Sequence, residues 1–441
     1  MFTRRDLVRL IVPLMIEQVL SVTIGIADTL MVASVGEIAV SSVSLVDSVN
    51  TLLLQVLTAL ATGGAIVSAQ YLGREDNENA NAAARQLLFV TTLFSLVIMM
   101  LGLVGRTAIP HALFGAAEPA VMENACTYFW ISALSYPLIS VYCVGAALFR
   151  VQGNSKISMF AALLMNVTNI SFNAFFIFGL NMGVAGAALG SLIARGFGAI
   201  FLMMLLYNHN NRIHVNELFP LKFQPKMIKN ILRIGIPNGI ENGIFHVGKI
   251  LLQGLIASFG TMAIAANAVA GSITSVAQMP GSAVGLAMVT IVGQCVGARD
   301  YEQAKKHMIN LTGASYVMIG VLHVCSMLFA RQLIGLFHVS AQTANIAWQL
   351  CICCSLFSIF FWPAGFTLPN GLRAANDVKF TMIASIASMW IFRIGFSYVL
   401  GQWMGLGVLG VWIAMGIDWV ARTVAFIIRF LSGKWKNIQY I

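Results

Sequence analysis

Residues 70–80 read QYLGREDNENA, and residues 294–304 read QCVGARDYEQA. Laying one over the other takes a shift of 224 residues. The same shift superposes Pro13 on Pro237, Glu17 on Glu241, Ala33-Ser34-x-Gly36 on Ala257-Ser258-x-Gly260, and Gly183-Val184-x-Gly186 on Gly407-Val408-x-Gly410. At a shift of 223, Arg150 and Lys156 fall on Arg373 and Lys379. A register held across most of half the chain marks an internal repeat.

The repeat lies in a chain that water cannot surround. Of its 441 residues, 59% are hydrophobic and only 10% charged, whereas a soluble domain carries about 25% charged residues. The mean hydropathy is +0.84. A spanning helix takes roughly 20 apolar residues, and the apolar runs give twelve: 10–33, 40–70, 86–104, 122–149, 158–179, 184–207, 232–258, 263–295, 308–330, 342–372, 379–400 and 407–430. The expected fold is an all-α integral membrane protein of twelve transmembrane helices. Residues 1–208 form an N-lobe, 209–230 a cytoplasmic linker and 231–441 a C-lobe. Six spans per half is an even number, so the repeats are parallel and related by a pseudo-two-fold axis along the membrane normal.

Charge placement gives the orientation. The termini and the loops on their side hold 20 of the 26 Lys and Arg residues, and the opposite loops hold only Arg106 and Arg331. The positive-inside rule therefore places both termini in the cytoplasm of a multi-pass protein of the cell membrane. The net charge of +10 is spread over short loops, not gathered on a nucleic-acid-binding face. The opening MFTRRDLVRL has no A-x-A-like cleavage site and reads as a lead-in to span 1. The seven cysteines (126, 143, 295, 325, 351, 353 and 354) read as small buried hydrophobes.

At this level of detail the chain resembles the multidrug and toxic compound extrusion (MATE) transporters. The resemblance rests on PLMIEQ and GIADTLMVASVGEIAV in span 1, GGAIVSAQYLGRED after span 2, LFRVQGNSK after span 4 and NISFNAFFIFGLNMGVAGAALGS across spans 5 and 6. In the second half it rests on GIPNGIENGIFHVGK, IAANAVAGSITSVAQMPGSAVGLAMVTIVGQCVGARD and GLRAANDVK. It implies export of amphipathic, mostly cationic compounds by alternating access, with a proton or sodium as coupling ion and no other cofactor. It assigns cation coupling to Asp28, fifteen residues after Pro13, with Tyr128, Asn169, Asn173 and Ser191 around it. Relatives often carry a second aspartate where Asn173 stands, and others carry second-lobe acids where Phe245 and Trp362 stand. Their absence favours a first-lobe site, a proton over sodium, and a DinF-like over a NorM-like pattern.

Ionisable residues at membrane depth are functional candidates by default. The acids are Glu17, Asp28, Asp47, Glu241 and Asp418. Glu17 and Glu241 each follow a helix-bending proline, Pro13 or Pro237, by four residues. They serve either in substrate passage or in bonds that hold the bends. Glu17 lies about 16 Å along the helix from Asp28. Asp47, Phe245, Gln278 and Met279 complete the substrate or gating candidates. Lys249 has Glu241 two turns away as a potential partner, Arg393, Asp418 and Arg422 form an expected structural cluster, and Arg195 has no obvious partner. Seven of the eight tryptophans lie at or after position 348, some at span ends where interfacial anchoring is usual.

Two other functions compete. A lipid-linked glycan flippase of the same superfamily would present bases to its cavity, but spans 1, 2 and 7 set four acids against Lys249. An intramembrane enzyme would need a constellation such as H-E-x-x-H, and the histidines at 111, 209, 214, 246, 307, 323 and 338 show none. The expected partners are the lipid bilayer and amphipathic cationic small molecules, with no nucleic acid, and the chain acts as a monomer.

Overall fold

The computed structural model describes residues 2–114, 118–215 and 223–438. Residues 216–222, the middle of the expected linker, lie outside them. The chain divides into two compact units, residues 2–239 and 240–441, referred to below as the first and second lobes. The helix Pro225–Ser258 crosses the division, so residues 225–230 of the expected linker are already helical.

The first lobe contains α1 (Arg4–Ala33), α2 (Glu37–Gly73), α3 (Asn77–Val104), a short α4 (Ala108–Phe114), α5 (Pro119–Leu134), α6 (Tyr136–Val151), α7 (Ser155–Ala174) and α8 (Gly183–Leu206). The second holds most of α9 (Pro225–Ser258), then α10 (Thr261–Gly297), α11 (Tyr301–Leu328), a short α12 (Ala330–Gly335), α13 (Ala341–Trp362), α14 (Leu368–Ala374), α15 (Val378–Ser388) and α16 (Gly407–Leu431). Wide π-helical turns carry α7 on to Gly179, α13 into α14, and α15 on to Trp403.

Among the described residues, ten of these segments are long and apolar enough to cross a membrane. An eleventh span is the pair α5 and α6, and here the structure corrects the continuous span expected over 122–149. The helix breaks at Ser135 and turns by 47°, because Pro137 in the first turn of α6 has no N–H to donate back. The twelfth span is α9, counterpart of α1, whose apolar pattern is interrupted by Asn238, Glu241, Asn242, His246 and Lys249. The fold is the all-α, twelve-span architecture of two six-helix lobes.

The repeat is written into the backbone. Asp76 caps α3 by accepting from the Asn79 N–H at 3.1 Å, and Asp300 caps α11 by accepting from Gln303 at 3.0 Å. The residue before each cap takes a left-handed conformation, with φ 63° at Glu75 and 60° at Arg299. Asn181 and Gly405, at φ 52° and 73°, end the π turns after α7 and α15 in the same way. All three correspondences sit at the shift of 224.

The expected helix-bending prolines are accommodated within continuous helices. Pro13 lies inside α1 and Pro237 inside α9. A proline leaves the carbonyl four residues before it without its donor, here Arg9 O, and the Ser155 hydroxyl stands 3.5 Å from that oxygen while donating to its neighbour Leu10 O at 2.7 Å.

Close packing in lipid depends on small residues. Gly63 of α2 faces Gly235 so closely that a Cβ there would stand 3.0 Å from its Cα. Among the described residues, larger side chains gather in a core around Val43, Val46, Phe129 and Ile131 and in a second around Leu252, Trp362, Trp412 and Trp419. The three tryptophans in the second core are buried within the lobe.

Candidate functional sites

In the first lobe, α1 packs along α7, and α7 along α8. One chain of hydrogen bonds crosses all three. The Asn173 amide donates to Asp28 Oδ1 at 2.7 Å and to Asn169 Oδ1 at 3.2 Å, and Asn169 donates to Ser191 Oγ at 3.1 Å. Asn173 is fully buried, and the first π turn begins two residues later. It fits because residue 190 on α8 is glycine: a Cβ there would overlap Asn173 Oδ1. The structure thus brings together four of the five residues expected around the coupling site.

The fifth, Tyr128, belongs to another carboxylate. Its hydroxyl donates to Asp47 at 3.1 Å, the Asn50 amide donates to the same oxygen at 3.2 Å, and Tyr136 donates to Asn50 at 3.0 Å. Asp47, expected in substrate passage or gating, is therefore a second acid of the first lobe, and it lies within electrostatic reach of Asp28. Arg195, without a partner in the sequence, donates to Ser135 Oγ at the break between α5 and α6 and also lies within reach of both acids. Asn50, Ser135 and Tyr136 were not among the expected residues. Asn50 stands one helical turn from Asp47, which was the available signal.

Glu17 and Glu241 each have a buried arginine partner. Glu17 receives Ser158 Oγ at 2.7 Å and Arg150 Nη1 at 3.4 Å, tying α1 to α6 and α7. Glu241 meets Arg373 Nη2 at 2.5 Å, tying α9 to α14, and Arg373 also donates to Asn370 at 3.0 Å. The pairs occupy equivalent positions in the two halves. This corrects the pairing of Lys249 with Glu241, because the tertiary contact to Arg373 takes the carboxylate. It also removes two acids from the excess that favoured cationic cargo in spans 1, 2 and 7.

The expected cluster of Arg393, Asp418 and Arg422 forms in the second lobe. Asp418 is fully buried and accepts from Arg422 at 2.9 Å, with Arg393 Nη1 3.9 Å away. Beside it lies a cavity of about 470 Å³, lined among others by Phe245, Lys249, Gln278, Trp362, Arg393 and Trp419. Lys249 Nζ stands 5.1 Å from the centre of the Phe245 ring. Two of the expected substrate residues, Phe245 and Gln278, thus line this cavity. Met279 is half-buried and outside its lining.

Two homologous lobes of membrane-spanning helices, each with polar groups held at its centre, define a polytopic membrane transporter. Residues 13–175 and 237–399 both match the MatE family model, so the chain belongs to the MATE family, and the two matches are themselves offset by 224 residues. A probable multidrug resistance protein NorM of Thermotoga maritima is 26% identical over 98% of this chain and 93% of its own length. Among solved structures, a MATE in complex with MaL6 superposes with a TM-score of 0.90 at 22% identity, covering 98% of this chain and 95% of that one. An outward-facing multidrug resistance MATE transporter of the MOP superfamily superposes with 0.89 at 23% identity, covering 97% and 94%.

Proposed function

We propose that the protein is a cation-coupled antiporter that exports amphipathic, mostly cationic compounds by alternating access, with a proton as the coupling ion and Asp28 as its carrier. The carrying observation is the bond from Asn173 to Asp28, which joins α1 to α7 through a carboxylate. Protonation removes the charge to which the amide bonds, so taking up a proton loosens α1 from α7. Asp47 responds to the same step through its electrostatic coupling to Asp28. Such a loss of differential contacts is what a ligand needs to shift a two-state equilibrium. Cationic cargo is favoured by two first-lobe acids against Arg195, and the relatives named for multidrug resistance support the substrate class. Both termini lie in the cytoplasm of the cell membrane on this reading, and one chain suffices as a monomer.

The test is ethidium efflux from proteoliposomes under an imposed proton or sodium gradient. Wild type exports under the proton gradient, and Asp28→Asn loses at least tenfold in rate while remaining folded. Equal export by the variant sinks the coupling assignment, and no dye movement by wild type moves the balance to the flippase.

A further inference from the structure

We infer that the second lobe holds a separate site for an amphipathic aromatic anion, in the cavity beside α9 and α16. The repeat gives the site its place. At the shift of 224, Asp28, Asp47, Asn169, Ser191 and Arg195 of the first lobe fall on Leu252, Gly271, Arg393, Met415 and Trp419, and all five of those line the cavity. The polar centre of one lobe and the cavity of the other are the same position in a duplicated fold.

The charge there is inverted. Both acids are gone, replaced by an aliphatic side chain and a glycine, and a neutral amide has become Arg393. Lys249 adds a second base where the first lobe has Gly25. No carboxylate is among the lining residues. The one nearby acid, Asp418, is already bonded to Arg422 and approached by Arg393. Among the described residues no carboxylate lies within 4 Å of Lys249, and Arg393 Nε has no hydrogen-bond partner. Two bases thus line one cavity, Lys249 with no carboxylate within ion-pair distance among the described residues and Arg393 with only a loose 3.9 Å approach to one.

The rest of the wall is aromatic. Trp362 stacks on Phe366 at 5.1 Å, and Trp419 meets Phe366 edge-on at 6.0 Å. An aromatic wall alone would suit an organic cation, but here the chain's own cations already stand over Phe245 and Phe366. Lys249, Arg393 and Arg422 stand 5.1, 5.4 and 5.0 Å from the centre of Phe245. An added cation meets Lys249 and Arg393 with no carboxylate in the cavity lining, which is discrimination by repulsion. A flat ring bearing a carboxylate or sulfonate meets π faces along its body and two bases at its head. The volume of about 470 Å³ fits a ligand of that size.

The test uses the purified full chain in phosphatidylcholine nanodiscs, with 1-naphthaleneacetate titrated by calorimetry and 1-naphthylmethylammonium as a competitor of the same shape. The anion saturates one site, and the ammonium fails to displace it at tenfold higher concentration. Lys249→Gln weakens the anion at least tenfold, whereas Lys249→Arg keeps it within threefold. Displacement by the ammonium at equal concentration overturns the inference, as does unchanged affinity in Lys249→Gln. The competition needs only wild type, so it decides the matter even where the variant fails to fold. Dye export by the first lobe is an independent readout, and its loss leaves this result intact.

Discussion

Breaking the Glu241–Arg373 pair tests whether the two repeated ion pairs are scaffold or part of substrate passage. Both side chains are nearly buried, at 8% and 14% exposure. Glu241→Gln leaves Arg373 bonded to Asn370, and Arg373→Met leaves a buried carboxylate whose second oxygen is already unpartnered among the described residues. Removing one member of a buried pair costs about 3–5 kcal/mol, much of it the stranded charge. For a lobe of this size that corresponds to a fall in Tm of roughly 6–20 °C. Removing both members costs less than the sum of the singles, because no charge is then stranded, and Glu241→Met with Arg373→Met recovers part of the loss. The assay is thermal unfolding of detergent-solubilised protein followed by tryptophan fluorescence, well suited to a lobe with Trp362, Trp412 and Trp419 in its core. Single variants that melt within about 2 °C of wild type, or a double variant that loses as much as the singles combined, refute the scaffold reading.

Two more outcomes follow from the same geometry. Gly190→Ala places a methyl group on Asn173 Oδ1 and should displace that amide from Asp28. Gradient-driven export should fall at least tenfold, and replacing Asn173 by the shorter Ser in the Gly190→Ala background should recover only the part of the Tm lost to the side-chain overlap, because the new Cβ also stands 2.9 Å from the backbone nitrogen of residue 173. Asp418→Asn takes the fully buried carboxylate away from Arg422, which is itself 3% exposed, and from the partly buried Arg393 and should cost about 3–5 kcal/mol, checked by the same melting assay.

Much of the fold was legible, because lipid forces backbone polar groups into helices and the repeat could be read position by position. The break at Ser135 was not, since an apolar run tolerates a bend without changing its composition. In the first site, Asp28, Asn173, Asn169 and Ser191 were reachable through matched motifs, and Asn169 and Asn173 lie one turn apart on α7. The partnership of Tyr128 with Asp47 is 81 residues apart and leaves no local trace. Lys249 shows the opposite failure: helical spacing pointed to Glu241, but a partner 132 residues away holds that carboxylate.

The repeat itself carried a signal that separates scaffold from site. Glu17 and Arg150 both recur, as Glu241 and Arg373, and so do the caps Asp76 and Asp300. An acid and a base that recur together at membrane depth are best accounted for by each other, because either alone is costly to bury. Asp28, Asp47 and Arg195 do not recur. Their counterparts Leu252, Gly271 and Trp419 reverse the chemistry within the same frame. What both halves keep binds helices together, as does the buried pair of Asp418 and Arg422 that only the second half has, whereas Asp28, Asp47, Lys249 and Arg393 stand at the centres where we propose that each lobe takes its own ligand. A repeat with identical charge at both centres would give two like sites. This chain instead sets two acids at one centre and two bases at the other, so exchanging the charge of Asp28 or of Lys249 should change what that lobe binds before it changes how the lobe folds.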